Sequence, residues 1–267
     1  MASEPSRSPR PWLLCILAAG LCGVPAGQAI AYPSAIIACP TGEVQGAGAG
    51  DVFLYDAYYP EGFQVWGGMN LGLGGGFDYG DSGLRFEGWE VGADLIGSGG
   101  APAEARIALS VKAQVLGETT AWPALGAGLM GLNPGRSEQS LNLLFLSATK
   151  TLAWDGRDLG RLSAGVGSTL WRGEGAGFIA TSPFDTGSNG LVMAGYESPA
   201  LGPWSLAIDH VGSVSDYGGT NVALHFETGS GTYLALGYAF GNDPFATSPP
   251  GPFASLSTPL MSGWGDR

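Results

Sequence analysis

The sequence predicts an all-β chain folded as an up-and-down antiparallel transmembrane β-barrel of about 10–12 strands. Three observations carry that expectation: strict two-residue alternation in segment after segment, glycine spread through those segments, and an apolar leader ahead of an acidic remainder. The alternation is clearest near the end of the chain. Trp204, Leu206 and Ile208 alternate with Ser205, Ala207 and Asp209; Val222, Leu224 and Phe226 alternate with Asn221, Ala223, His225 and Glu227. After a Thr-Gly-Ser-Gly turn, Leu234, Leu236, Tyr238 and Phe240 take one parity against Tyr233, Ala235, Gly237 and Ala239. Side chains on a strand point to opposite faces in turn, so each run has one apolar and one small or polar face. A half-buried soluble sheet has such faces, and so does a barrel with lipid outside and a polar lumen inside.

The 47 glycines follow no Gly-X-Y period, which excludes collagen, and most lie inside the alternating runs. Glycine weakens a soluble sheet, whereas a barrel must curve, and small residues ease packing on its inner wall. Aromatic residues gather at the ends of the runs, where the girdles of a membrane barrel lie.

Residues 1–31 have the layout of a secretory signal peptide. Arg7 and Arg10 form the charged start, Trp12–Ala26 the apolar stretch, and Ala29-Ile30-Ala31 a small-x-small cleavage site before Tyr32. The apolar stretch is short and broken by Gly and Pro, which argues against a membrane anchor. Cleavage removes Cys15 and Cys22 and leaves Cys39 alone, so the remainder has no intrachain disulfide and no thiol metal cluster. It is acidic, with few Lys and Arg, and has no basic patch of the kind that binds nucleic acid.

Along the chain, Tyr32–Tyr59 is the least regular region, with Glu43–Gly50 and Asp51–Tyr58 expected as a short strand pair. Phe63–Phe77 and Leu84–Ile96 follow as strands, with a parity switch near Gly88 that suits a bulge. Arg106–Leu116 is the clearest strand. Ile107, Leu109, Val111, Ala113 and Val115 share one face, and Arg106, Ala108, Ser110, Lys112 and Gln114 the other. At about 3.3 Å per residue its length matches a tilted strand crossing a bilayer. Trp122–Leu132, Leu141–Trp154, Gly160–Trp171 and Asn189–Ser198 complete the middle, with Asp155-Gly156-Arg157-Asp158 as a hairpin turn. The barrel is expected to span residues 32–240. Residues 241–267 carry five prolines and no period, and read as a Pro-rich disordered tail.

No catalytic residue set, metal site or cofactor is predicted. The lumen-lining candidates are Glu90, Asp94, Arg106, Lys112, Asp209, His225 and Glu227, which would form either the selectivity lining of a porin-like pore or charge pairs that fill a narrow barrel. His225 shares a face with Asn221 and Glu227, and Ser110 and Ser205 are hydroxyls on other strands. A lumenal hydrolase would need them in one constellation, but a hydrogen-bonded polar lining explains them more simply. Asp78, Asp81, Asp155 and Asp158 fit turn chemistry better than a calcium loop.

Pro40-Thr41-Gly42, the run Ala113-Gln114-Val115-Leu116-Gly117-Glu118 leading into Pro123-Ala124-Leu125-Gly126-Ala127-Gly128, Ser147-Ala148-Thr149-Lys150 and the order of Gly-rich hairpins resemble the YjbH-like bacterial outer-membrane barrels linked to exopolysaccharide production. The resemblance extends over about Ser34–Phe240 and rests on short, Gly-dominated motifs. It implies an outer-membrane location, outer-membrane lipid and the barrel-assembly machinery as partners, a connection to polysaccharide-export components, and no catalytic residues. Read from the residues alone, the competing class is a soluble secreted β-sandwich that binds glycans through exposed aromatics. Exported protein is expected to begin at Tyr32 or within a few residues of it, and N-terminal sequencing that finds Met1 or Ala2 overturns the leader.

Overall fold

The structure, a computed structural model, describes residues 35–59, 62–80, 85–98, 106–132, 143–169, 190–212, 218–228, 232–241 and 251–261. Twelve strands form one closed antiparallel barrel: β1 (Gly50–Tyr59), β2 (Gly62–Asp78), β3 (Arg85–Ser98), β4 (Arg106–Leu116), β5 (Ala124–Leu132), β6 (Leu143–Trp154), β7 (Arg157–Thr169), β8 (Gly190–Glu197), β9 (Trp204–Gly212), β10 (Gly219–Glu227), β11 (Tyr233–Gly241) and β12 (Gly251–Met261). Each strand pairs with its neighbours in sequence, and β12 closes the ring against β1. The proposed leader, residues 1–31, lies outside the described residues.

Alternation sets the two faces. In β6, Leu143, Phe145, Ser147 and Thr149 are buried while Leu144 and Leu146 are exposed. In β4, Ala108, Ser110, Lys112 and Gln114 are buried inward, and Ile107, Leu109 and Val115 are exposed outward. The outer face is therefore the apolar one: Leu146 is 59 % and Leu236 54 % exposed. Polar side chains such as Lys112, at 0 % exposed, are inside. That is the reverse of a water-soluble globule.

The connections sort by end. At the end where β1 begins, two to seven residues separate the strands joined there; at the opposite end the separation reaches twenty, between β7 and β8. We call these the short-turn and long-loop ends. The tightest turn, Asp155-Gly156, has positive φ at both residues, 51° and 73°. This is the type I′ geometry whose twist matches the flanking strands, and it draws Arg157 and Asp158, expected in the turn, into β7. At the same end Lys150 donates to the carbonyls of Thr119, Thr120 and Trp122 and pairs with Glu118 at 3.2 Å. Burial works to raise the Glu118 carboxyl, but hydrogen bonds from the Thr151 N–H and hydroxyl, with the Lys150 ammonium, outweigh it and hold it below its ordinary range. This tie is present at neutral pH and is lost as the pH falls through that lowered value.

Two expectations need correcting. The disordered tail expected over residues 241–267 contains β12, which pairs with β11 from Tyr233↔Ser257 to Ala239↔Gly251 and with β1 from Gly50↔Met261 to Ala57↔Phe253. Its prolines hid it, since proline gives no N–H to a ladder. Among the described residues, Pro252 pairs with Tyr238 on the β11 side only and Pro259 with Asp51 on the β1 side only, so each has one side without a described ladder. The second correction concerns Glu43–Gly50, which is no partner strand for β1: Gly50 is the first residue of β1 itself, and residues 43–49 belong to a segment that enters the barrel. The bulge expected near Gly88 falls across the ladder from it, where the register slips between Gly72 and Gly74. A chain ending at Phe240 loses β12 and leaves β1 and β11 with open edges. It is expected to lack the compact, heat-modifiable form of a closed barrel, and electrophoresis of unheated against boiled samples in detergent checks this.

Candidate functional site: the occupied lumen

Residues 35–49 run inside the barrel, and the wall is built to receive them. The segment has no regular period of its own. Its backbone N–H groups face inward-pointing acceptors that belong to different strands. Oδ2 of Asp209, on β9, accepts from three consecutive N–H groups, those of Ile37 at 3.0 Å, Ala38 at 2.5 Å and Cys39 at 2.8 Å. Its Oδ1 accepts from Nδ2 of Asn221 at 2.9 Å. Lower in the lumen, Gly42 donates to Oγ1 of Thr149 at 2.8 Å, Val44 to Oε1 of Gln114 at 3.0 Å and Gln45 to Oε2 of Glu90 at 2.9 Å. The Ser147 hydroxyl donates to the Thr41 carbonyl at 2.7 Å. Nζ of Lys112 lies 3.5 Å from both oxygens of Thr41. A buried backbone group without a partner is costly, and these side chains supply what a neighbouring strand would otherwise give.

Glycines on both sides let the backbones touch. A Cβ on Gly42 would stand 2.4 Å from the Ala124 carbonyl oxygen, and one on Gly72 would stand 2.2 Å from that of Gly46. The lumen also has a polarity gradient matched by its occupant. Toward the long-loop end, Met130, Leu143, Phe145, Leu191, Met193 and Val211 enclose Ala38 and Cys39. Toward the short-turn end the wall is polar, and there the Arg161 guanidinium pairs with Glu43 of the segment and with Glu197 of β8 at 3.8 Å. Cys39 is fully buried with a free thiol.

Glu90 and Lys112 point inward directly opposite each other on β3 and β4, both buried, with Asp94 buried on the same face of β3. Glu90, Lys112 and Asp209 all meet the segment. Asp94 instead lies beside Gly68, where a Cβ would stand 2.2 Å from its Oδ1. Arg106 pairs with Ile96 at the long-loop end of β4, and its side chain lies outside the described residues. Toward the short-turn mouth, Glu227 borders a cavity of about 230 Å³ together with Arg161, Glu197, Ser205 and Tyr233, and His225 is two residues further into β10.

Ser205 stands opposite His225, and both reach Oε1 of Glu197, at 3.4 and 3.6 Å. The carboxylate thus stands between hydroxyl and imidazole, whereas a nucleophile–base–orienter relay needs the imidazole in the middle. Ser110 is on another part of the wall, facing Gly92. Asp158 accepts from the Gly160 N–H at 2.8 Å, and Asp78 pairs with Arg85 at 4.0 Å; Asp81 lies outside the described residues. His210 is on the outer face near the long-loop end, bonded to Thr220 at 2.9 Å. Sequence reasoning missed Thr41, Gln114, Ser147, Thr149 and Asn221 as a set. For Gln114, Ser147, Thr149 and Asn221 the signal was only the polar parity of their strands, and Thr41, in the inserted segment, had none.

No family model matches the chain, and no curated protein is significantly similar to it.

With Lys112 removed, Glu90 is left buried opposite an apolar group. Lys112→Met is therefore expected to cost roughly 3–5 kcal/mol, and the double change with Glu90→Gln to recover most of it. Urea unfolding of refolded protein, run as a double-mutant cycle, measures both.

Proposed function

We propose that the protein is an outer-membrane β-barrel with a structural role in the cell envelope, closed at rest by its own N-terminal segment. The observation that supports this best is the outer face. Leucine, isoleucine and valine from successive strands stand exposed around the barrel, including Leu95, Ile107, Leu146, Val166, Leu206 and Leu236. Water would meet all of them, and a contiguous apolar surface of that extent marks a membrane or an interface. Eleven residues of β4, tilted as in outer-membrane barrels, rise about 25 Å, the height of the apolar band in such proteins. Trp122, Trp154 and Trp204 lie at the short-turn end of this band, and Tyr238 and Phe240 toward the long-loop end, as interfacial girdles do. Short turns then face the periplasm and long loops the exterior.

The resemblance to the YjbH-like barrels extends this reading to envelope polysaccharide, with export components as partners and the barrel-assembly machinery as the route of insertion. In a soluble glycan-binding sandwich, the apolar residues of a strand such as β4 would face a core and the polar ones water. The measurement that decides is quenching of a fluorophore at residue 109 in vesicle-bound protein. Lipid-soluble quenchers are expected to reach it and aqueous ones to fail, and the protein is expected to stay in the pellet after a carbonate wash. Quenching from water, or release by carbonate, overturns the membrane assignment.

A further inference from the structure

The segment in the lumen is held in a way that lets it leave. We propose that residues 35–46 withdraw from the barrel as one body and that the space they vacate is a cation-selective passage. This rests on the membrane reading above.

No covalent bond ties the segment to the wall, since Cys39 is a free thiol. Along residues 37–45 the wall bonds it through side chains of Asp209, Thr149, Gln114, Glu90 and Ser147. Side-chain groups of this kind are satisfied equally by water, so an emptied lumen wets without stranding a backbone ladder. The pattern changes below Gln45. Gly48 donates to the Gly72 carbonyl and Gly72 to the Ala49 carbonyl, both at 2.8 Å, which stitches residues 48–49 to β2 by backbone bonds. Between the stitched and the side-chain-held parts lies Gly46, around which a side chain would meet nothing within 4 Å. Gly48 has φ 69°, a conformation that glycine adopts freely. The flexible joint thus sits where the mode of attachment switches. The tip is the latch: Ala38 and Cys39 fit the apolar chamber at the long-loop end, and Asp209 gathers three N–H groups at one oxygen.

The vacated wall carries Glu90, Asp94, Glu197 and Asp209 against Lys112 and Arg161 among the described inward residues of β3 to β9. The arginine loses its partner Glu43 and keeps Glu197. Fixed negative charge in a narrow low-dielectric channel concentrates cations and repels anions.

The test uses the full chain with Cys15→Ser and Cys22→Ser, refolded into vesicles and planar bilayers. A Cβ at Gly195 would lie 3.5 Å from that of Cys39, a spacing that a disulfide accepts. Gly195→Cys, oxidised, therefore pins the tip to β8. Expected are brief cation-selective openings before oxidation, at least tenfold fewer afterwards, and recovery with reductant. In the unpinned protein Cys39 should react slowly with a membrane-impermeant maleimide. Asp209→Ala, which removes the acceptor without adding bulk, should raise both the maleimide rate and the opening frequency about tenfold. Openings that are indifferent to the disulfide overturn the proposal, as does inserted, heat-modifiable protein with neither openings nor Cys39 labelling. Failure to float with vesicles is a different result, and strikes the membrane reading instead.

Discussion

With β12 seated between β11 and β1, every strand has a hydrogen-bonded neighbour on each side, and the sheet has no edge. That closure creates the conditions for the rest of the molecule. An open sheet with this composition would present an apolar face and an unpaired ladder together, the combination that leads to aggregation. Closure removes the ladder and turns one face of each strand inward. It also fixes the interior volume, because strand number and tilt set the diameter. Much of the inner wall is Gly, Ala, Ser and Thr, too small to fill that space. The chain fills it with its own residues 35–49.

Filling a lumen with backbone raises a problem that side chains do not. Each inserted residue brings an N–H and a C=O that need partners, and the wall's own backbone groups are already used in the ladders. Apart from the backbone bonds of Gly48 and Ala49 to Gly72 at the β2 bulge, the partners are wall side chains, and the interior is accordingly rich in carboxylates, amides and hydroxyls. Asp209 shows the solution at its densest, with one oxygen for three N–H groups and the other held by Asn221. Burying Glu90 and Lys112 face to face follows the same rule, since a buried charge is tolerable when an opposite one faces it. The glycines at 42, 72 and 126 serve the same end by letting two backbones lie in contact.

An outer surface so apolar around a largely polar interior is compatible with the membrane location proposed above, where the outer solvent is hydrocarbon. In water, Leu146 or Leu236 on the outside would be a liability. In lipid it is the ordinary state of a barrel strand. The two chambers of the lumen add an asymmetry along the axis, apolar toward the long loops and polar toward the short turns, and the Ile-Ile-Ala-Cys tip and Thr-Gly-Glu-Val-Gln stem of the inserted segment match it in order.

The local pattern was enough to locate most strands. β4 spans Arg106–Leu116 as its alternation implied, and the alternating residues of β9, β10 and β11 were legible because a strand's two faces are written into every second residue. Hairpin chemistry at Asp155-Gly156 was legible for the same local reason. β12 was not, because its prolines are acceptable only where a neighbouring ladder is absent, and that depends on how far β1 and β11 reach. The inserted segment was not legible either. Its residues have no period, and the acceptors that hold it, Asp209, Thr149, Gln114 and Glu90, are separated in the chain by tens of residues. By itself the sequence determined the faces, most of the strands and the polarity of the wall, since these follow from neighbours in the chain. Which strand closed the ring and what occupied its centre were decided only by the tertiary structure, because both depend on residues that meet across the barrel.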